Sequence, residues 1–268
     1  MPNIISSLST TLTTGINNVQ KSIVETQTQL ATGSKTLNAA EIGIVTRLSA
    51  QAAGYKSVTQ NIAAGTNVIN VGTTALNSIS TILSQAKDIA TQAANAGLQT
   101  SDRTALNTTF SQLLAQVTSL IANASVNGEN VLLSGGGNLT VQSGITGGTV
   151  SQTTISKLAI SLTSLGVNAS TVTTQSTAQT AIDALTTALG TVSTNMSTMS
   201  ATKTGLDSSA AASLSLSTNL TATVDSIQAV DQTALQAKLQ QLNNQQSIDY
   251  YLISQMNTAA QAALTIFR

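Results

Sequence analysis

The sequence predicts a mostly α-helical protein with a long antiparallel helical bundle, a coiled coil of its N- and C-terminal helices, and a small β-rich outer insertion. Three observations predict this fold class. Apolar side chains recur at steps of three and four at both ends of the chain, which is the period of a helix face packed on another helix. The same period returns over long stretches of the middle. Between about residues 134 and 177, short alternating runs separated by glycines replace it.

The two ends of the chain carry thin apolar stripes that match each other. Polar side chains stand between the apolar positions, and a polar run at 243–246 interrupts the second stripe. The positions are Ile5, Leu8, Leu12, Val19, Ile23 and Leu30 in the first stripe, and Leu235, Leu239, Leu242, Leu252, Met256, Ala263 and Phe267, followed by Arg268, in the second. A stripe this narrow cannot bury itself, so the simplest expectation is that the two helices pack on each other as a terminal coiled coil.

The helix faces opposite these stripes are almost uncharged, which leaves two interpretations open. The faces suit contact with other copies of the chain, or they are the solvated outside of an ordinary intramolecular coiled coil. Because one weak seam stabilises a helix pair poorly, we expect both ends to be poorly ordered on their own. Tyr250 and Tyr251, the only aromatic pair, are expected to pack in this coiled coil or its interface.

Two helices are predicted in the first half of the chain. The first follows the apolar stripe that resumes at Ala64, and it closes at Gly97, which is a C-terminal signal. The second has Ser101 as its N-cap and Asp102 in its first turn, where a carboxylate favours the helix dipole. It ends before a turn at 127–128.

A further helix and the insertion complete the prediction. The insertion is expected to hold strands at 139–141 and 158–162, with the glycines at 135–137 forming a turn or linker. The helix from 178 to 210 has the most regular spacing and joins the other two in a bundle. The chain is therefore divided into 1–33 and 225–268 for the helices of the inner coiled-coil domain, 34–133 and 178–224 for the helical-bundle domain, and 134–177 for the insertion.

The composition excludes most catalytic and ligand-binding classes. The 268 residues hold ten basic and ten acidic side chains, no His and no Cys. Without His or Cys there is no Ser-His-Asp or Cys-His nucleophile, no zinc site of the usual kind, and no haem or iron–sulfur ligation. We expect no enzyme activity, no metal and no cofactor. Zero net charge leaves no electrostatic footprint for nucleic acid, and no apolar stretch approaches the roughly 20 residues of a membrane helix.

A series of short motifs occurs in a fixed order along the first 133 residues and at the C-terminus. They are QLATGSK at 29–35, NAA at 38–40, RL at 47–48 with NIAAG at 61–65, TALNSI at 74–79, KDIATQAAN at 87–95, NGENVLL at 127–133 and QAALTIFR at 261–268. Each motif alone is weak, but their order and spacing together resemble those of bacterial flagellin, the subunit of the flagellar filament. The chain is similar to short-insertion members of that family.

The resemblance implies how the chain would work. Paired terminal helices would form an inner domain, and many copies would assemble into a helical filament for swimming motility around a central export channel. The implied partners are other copies of the chain, hook-associated and cap proteins, and an export chaperone. Export would use the flagellar type III apparatus without a cleavable signal peptide, which fits an N-terminus lacking a basic and an apolar region. The stripe residues would then be subunit contacts as well as the coiled-coil seam.

The resemblance also implies contacts on the bundle surface. Arg47, Lys87, Asp88 and Arg103 are the expected contacts, unless they are an ordinary solvated helix face. The motif that an animal innate immune receptor grips in the family is altered here at Gln85, Lys87, Asp88 and Ile89. Gln85 replaces an arginine and its planar five-donor group, so weak recognition is expected. The segment before Arg47 is about three residues shorter than in the family and keeps Glu41 as its one carboxylate.

Two alternatives to a filament subunit remain open. A hook–filament junction protein of the flagellum would share the termini but add only a few copies. A monomeric secreted coiled-coil binding protein would not self-assemble. Self-assembly would distinguish the secreted binding protein from the two flagellar proteins. Copy number along the organelle would distinguish a filament subunit from a junction protein.

Overall fold

The structure, a computed structural model, describes residues 2–135, 137–146 and 149–266, with side chains described for 7–135, 137–145 and 151–262. In chain order the elements are α1 (Pro2–Thr32), α2 (Ala39–Ala93), α3 (Thr100–Asn123), β1 (Leu139–Thr146), β2 (Thr149–Ile155), α4 (Gln175–Gln228) and α5 (Gln232–Ile266). The predicted mostly α-helical class with a small β insertion is confirmed. Two compact units are present: unit 1 is Met1–Ser49 with Leu220–Arg268, and unit 2 is Ala50–Asn219.

Unit 1 is organised by the pairing of α1 with α5. The Lys35 N–H donates to the Gln228 carbonyl at 2.9 Å, and farther along, Gln20 Nε2 donates to the Tyr250 hydroxyl at 2.9 Å. Moving back along α1 therefore corresponds to moving forward along α5, so the pair is antiparallel. Gly33 ends α1 with φ +66°, the left-handed conformation that glycine adopts most easily at a helix C-terminus.

Unit 2 is a bundle of α2, α3 and α4 around one apolar core. The buried side chains recur at helical spacing on each element, because each helix turns one face inward. The largest fully buried ones are Val58, Ile62, Ile69, Leu76, Ile79 and Leu83 on α2, Phe110 on α3, Leu185, Met199 and Leu206 on α4, and Leu132 and Ile155 from the insertion region.

The helix starts differ from two of the sequence predictions. α2 begins at Ala39, far before the apolar stripe at Ala64, because a polar capping motif rather than an apolar stripe starts it. Ser101 is not the N-cap of α3: the helix begins at Thr100, and Gln99 holds the N-cap position without a side-chain cap. Ser101 is therefore already inside the first turn.

The turn at 127–128 is confirmed and closes the α3 region. Asn127 and Gly128 have φ values of 51° and 84°, and the Val126 and Glu129 backbones exchange two hydrogen bonds of 2.9 Å. Positive φ at both central residues is the geometry of a tight two-residue hairpin, for which Asn-Gly is the preferred pair. The next residue, Asn130, is buried and donates its amide to the Ile121 and Ala122 carbonyls at the end of α3.

The insertion holds one antiparallel hairpin of β1 and β2, with Val141 opposite Thr153 and a bulge between Gln142 and Gly144. The strand at 139–141 is confirmed and extends to 146. The strand predicted at 158–162 is wrong: that segment is a loop, in which Ala159 has φ +52° and the Leu158 and Ile160 N–H groups donate to the Val131 and Leu132 carbonyls. The Thr- and Val-rich segment of β2 pairs with β1 instead, because β-branched residues fit a pleated surface.

Candidate interaction surfaces

The seam between α1 and α5 follows a seven-residue repeat on both helices. On α1 the least exposed positions of the seam are Leu12, Ile16, Val19, Ile23, Thr26 and Leu30, at alternating steps of four and three. On α5 the half-buried positions are Leu235, Leu239, Leu242, Gln246, Asp249, Ile253, Met256 and Ala260, at the same steps. Such a repeat is the signature of a coiled coil in which each helix turns one narrow face to the other.

The predicted stripe residues divide between this seam and the surface. Leu12, Val19, Ile23, Leu30, Leu235, Leu239, Leu242 and Met256 lie in the seam. Leu8 and Leu252 lie outside it and are exposed, and Ile253 occupies the seam position next to Leu252. The side chains of Ile5 and Ala263, and all of Phe267 and Arg268, lie outside the described residues.

Unit 1 exposes most of the large apolar side chains that are exposed in the described part of the chain. Eight of the eleven such residues belong to it. They are Leu8, Val24, Ile42, Ile44, Ile248, Tyr250, Tyr251 and Leu252, and we call them the outer apolar set. Ile248, Tyr251 and Leu252 lie at i, i+3 and i+4 on α5, so they share one face, and they are 58%, 63% and 45% exposed. A surface of this kind indicates a contact with another molecule.

The two tyrosines of this set are held by neighbouring amides. The Tyr250 hydroxyl accepts from Gln20 Nε2 across the helix pair, and the Tyr251 hydroxyl accepts from Gln255 Nε2 one turn along α5 at 3.0 Å. Their rings stay exposed while their polar tips are bonded. Aromatic residues with one bonded end and one open apolar face are well suited to protein interfaces.

A hydrogen-bonded network fixes the connection between α1 and α2. Asn38 Oδ1 accepts from the Glu41 N–H, and Glu41 Oε2 accepts from the Asn38 N–H, both at 2.9 Å, which is a reciprocal helix cap. Lys35 Nζ also contacts Glu41 Oε1 at 2.5 Å. The hydrogen bond from Lys35, with that from the Asn38 backbone, holds the pKa of the Glu41 carboxyl below its usual value. This carboxylate therefore helps to cap the N-terminus of α2.

The four charged residues predicted on the bundle surface have different surroundings. Arg47 and Asp88 are exposed and Lys87 is half-buried, and within the described residues none of their three side chains forms a hydrogen bond or an ion pair. Arg103 is different, because its side chain donates to three backbone carbonyls: Ala93 at 3.0 Å, Asn95 at 2.6 Å and Leu98 at 2.9 Å. Its guanidinium closes the C-terminal end of α2, where helix carbonyls lack intrahelical partners.

The altered receptor motif lies on the outside of α2. Gln85 and Asp88 are exposed and Lys87 and Ile89 are half-buried, while Ala86 and Ala90 between them face the core. The side chains that differ from the flagellin motif are therefore accessible.

A row of threonines makes one outer face of α4 uncharged. Thr187, Thr191, Thr194, Thr198 and Thr202 follow at steps of three and four. Each donates its hydroxyl to the carbonyl four residues earlier, over 2.9–3.1 Å. The hydroxyl protons are thus satisfied within the helix itself.

The described part of the chain shows neither a metal site nor a membrane-spanning helix. No group of three or more His, Cys, Asp or Glu residues there could hold a metal ion. Among the same residues, no helix combines the length and apolarity that crossing a membrane requires.

Comparison with known proteins supports the resemblance to flagellins. A family model described as the bacterial flagellin N-terminal helical region matches residues 5–136. The N-terminal half of the chain is therefore similar to that of flagellins. This confirms the resemblance predicted from the motifs, and flagellins are structural proteins of the bacterial flagellum, a non-enzymatic family. No curated protein sequence matches the chain.

Two flagellar proteins are among the solved structures that are similar to the chain. Bacillus cereus flagellin is 26% identical, over 57% of this chain and 85% of its own, with a TM-score of 0.49. A putative flagellar hook-associated protein from Vibrio parahaemolyticus is 16% identical, over 69% of this chain and 96% of its own, with a TM-score of 0.54. The second likeness is one of fold.

The limits of the flagellin match follow the elements of the structure. The matched residues contain α2, α3, nearly all of α1 and the turn at 127–128, and the match stops before β1. Six of the seven quoted motifs lie within it. The hairpin, α4 and α5 lie beyond it, so the likeness of residues 261–268 to the C-terminal run of flagellins stays a prediction.

Proposed function

We propose that the chain is a subunit that self-assembles into the helical filament of the bacterial flagellum for swimming motility. In this proposal α1 and α5 complete their folding on assembly, around the export channel, in the extracellular filament. The observation that carries it is the outer apolar set, which leaves unit 1 with a large exposed apolar surface beside a narrow seam. The match of residues 5–136 to the flagellin N-terminal helical region supports it.

The energetics of unit 1 favour assembly over a stable isolated pair. The seam has one line of contacts, and polar Thr26, Gln246 and Asp249 lie in it, so its apolar burial is small. Burying one Leu, Ile or Val of the outer apolar set against a neighbour contributes at most about 1.5–3 kcal/mol, because these side chains are already partly buried. Several such contacts from neighbouring copies can order helices that one seam holds only weakly.

The charge distribution supports contacts that depend little on salt. Only 7% of the residues are charged, and the described part of the chain forms three ion pairs, all within the chain itself. Interfaces without ion pairs lose little when salt screens charges. We expect the assembled polymer to keep its stability across ionic strength, measured by sedimentation of filaments between low and high salt.

The direct test is electron microscopy of the purified protein after seeding with filament fragments, with circular dichroism before and after. Long tubes together with a rise in helicity are expected, because the terminal helices order as neighbours bury them. A persistent monomer with constant helicity would overturn the proposal and favour the junction protein or the secreted binding protein.

A matched pair of variants tests the role of the outer apolar set. Leu252→Lys changes an exposed leucine outside the seam of unit 1, and Leu133→Lys changes an exposed leucine of unit 2. Losing one buried Leu contact, at about 1.4 kcal/mol per factor of ten, raises the critical concentration for assembly roughly 10- to 100-fold in the first variant. The second should assemble almost normally. Equal increases in critical concentration for the two variants would contradict the proposed role of unit 1 in assembly.

The finer partner assignments belong to the same proposal. Hook-associated and cap proteins would contact the ends of the assembled polymer, and an export chaperone would cover the apolar termini before export. Pull-down of the purified chain against each protein class, with Leu252→Lys as the variant of the exposed set, tests whether the same surface serves them. Unchanged binding by the variant would assign those partners to another surface.

A further inference from the structure

The hairpin is fixed to the bundle by one of its two faces. Val141 and Ile155 are buried on the side of α2, where a Cβ at Gly65 would stand 2.6 Å from Val141 Cγ2. Gln152 and Thr154 are exposed. One face of the hairpin is therefore covered, and the other is open.

The two edges of the hairpin also differ, because the β1 edge is contacted by the bundle and the β2 edge is open. The edge strand β1 is contacted by α2, whose Tyr55 hydroxyl donates to the Ile145 carbonyl at 2.9 Å and whose Asn61 amide donates to Gln142 Oε1 at 3.3 Å. The sheet has two strands, and within the described chain no segment other than β1 pairs with β2. Among the residues that the structure describes, the backbone N–H and C=O groups on the outer side of β2 therefore have no partner.

The free edge carries none of the features that usually prevent edge pairing. Neither strand contains a charged residue or a proline, and the bulge lies in β1. The nearest cation, Lys157, is already held by the Gly135 carbonyl at 2.8 Å and by Glu129 at 3.4 Å. Natural sheets normally protect an edge with lysine, proline or a bulge on the edge strand itself. This edge is open for strand addition.

We propose that the outer edge of β2, over Ser151–Ile155, pairs with the β2 edge of a second copy of the chain. The two hairpins would form one continuous antiparallel sheet across a twofold axis, the arrangement in which one surface serves both partners. A second copy fits because the strand is neutral, so its pairing with itself places no like charges opposite each other. Thr153 would lie opposite Thr153 of the second copy, and such Thr–Thr cross-strand pairs stabilise antiparallel sheets.

A single edge contact of this size is weak, and its effect depends on number. This step rests on the proposed function: a filament would display the edge many times, so two filaments lying side by side could form many contacts together. Linked weak contacts strengthen each other through their effective concentration. The expected consequence is lateral association of filaments, a property separate from their polymerisation.

A cross-linking experiment tests the edge directly, because the chain has no cysteine of its own. Gln152→Cys and Thr154→Cys each place a single thiol on exposed β2, and Gln112→Cys places one on the exposed surface of α3. Pairing over Ser151–Ile155 sets Gln152 opposite Thr154 of the second copy, and directly opposite residues on antiparallel strands lie about 4.5–5.5 Å apart. Under mild oxidation we therefore expect disulfide-linked pairs of chains to form roughly tenfold faster in a mixture of Gln152→Cys and Thr154→Cys chains than in a mixture of either with Gln112→Cys chains. Equal rates would overturn the proposal. The measurement works on concentrated monomer and on filaments, so it does not depend on polymerisation.

A charge test gives an independent readout. The double variant Gln152→Lys with Thr154→Lys adds like charges to the edge, and Gln112→Lys with Thr108→Lys adds the same charges to α3. Low-speed sedimentation of filaments should show lateral association reduced in the first variant at low salt, restored at high salt, and unchanged in the control. Filaments that form normally but associate equally in both variants would reject the edge while leaving the filament proposal intact. If the unsubstituted chain forms no filaments, the filament proposal itself is rejected.

Discussion

Gly65 lies on α2 directly beneath the hairpin, and Gly65→Ala tests how closely the two pack. The added Cβ would stand 2.6 Å from Val141 Cγ2 and 3.4 Å from both Val141 Cγ1 and Ile155 Cδ1. Real carbon atoms do not approach to 2.6 Å, so the hairpin must shift. Val141 is buried and β-branched, so turning its side chain brings the other methyl towards the same place.

The change in the free energy of unfolding caused by Gly65→Ala has two contributions of opposite sign. Overpacking a well-filled site costs about 1–3 kcal/mol, while replacing a helical glycine by alanine returns about 1 kcal/mol. Gly205→Ala on α4 supplies the second part alone, because a Cβ there meets nothing within 4 Å. The two variants should therefore differ by about 1–3 kcal/mol in their free energy of unfolding, with Gly205→Ala the more stable.

Thermal unfolding followed by circular dichroism measures this difference. In a domain of 150–250 residues, about 1 kcal/mol shifts Tm by roughly 2–4 °C, so the two variants should differ by about 2–12 °C. Adding Val141→Ala to each provides a second measurement. It should cost less in the Gly65→Ala background, because it also removes the clash, and a coupling of about 0.5–3 kcal/mol is expected. Identical Tm values for the two glycine variants would refute the close contact between α2 and the hairpin.

Three further predictions concern capping groups. Arg103→Met should lower the free energy of unfolding by about 1–3 kcal/mol in urea titrations, and Arg103→Lys should recover little, because one ammonium cannot reach three carbonyls. Asn130→Ala should cost about 2–4 kcal/mol, since it leaves the Leu132 N–H and carbonyls of α3 unpaired in a buried site; an effect under about 0.5 kcal/mol would contradict this. Because the hydrogen bonds from Lys35 and the Asn38 backbone lower the pKa of Glu41 on folding, its stabilisation is present above its unfolded pKa and lost as pH falls through the lower folded pKa. Amide exchange at Asn38 should accelerate there relative to its intrinsic rate, and Glu41→Gln should abolish that change.

The apolar period predicted the helices well but their polar starts poorly. The stripe at Ala64 locates the buried part of α2, whereas the helix begins at Ala39 with exposed Ile42 and Ile44 in its first turns. A cap-motif reading would have found this start, because Asn38 and Glu41 have the spacing of a capping box. Arg103 gives no such signal, since no spacing rule links an arginine to carbonyls five, eight and ten residues earlier.

The register of the terminal seam also depends on more than hydrophobicity. Leu252 and Ile253 are neighbouring residues of similar apolarity on that turn of α5, and Ile253 is the one that continues the repeat from Leu242 through Gln246 and Asp249. Two polar residues inside the seam hide the repeat from a count of apolar side chains. A strict seven-residue count from Leu239 would have placed Ile253 correctly. In the insertion, the apolar run at 158–162 predicted a strand, but the Thr-rich segment of β2 is the one that pairs with β1. Its β-branched residues fit the pleated surface of the hairpin.

The threonine row on α4 has a consequence for the heat of any association through that face. Each hydroxyl proton already has an acceptor in its own helix, so covering the row with another surface breaks few hydrogen bonds to water. The γ-methyl groups then form much of what is dehydrated, and dehydration of apolar surface gives a negative heat-capacity change. With no ionised group in the row, neither proton uptake nor counter-ion release enters the balance. In a calorimeter, association through this face would show the heat-capacity change of an apolar surface, although the face is built from residues usually counted as polar.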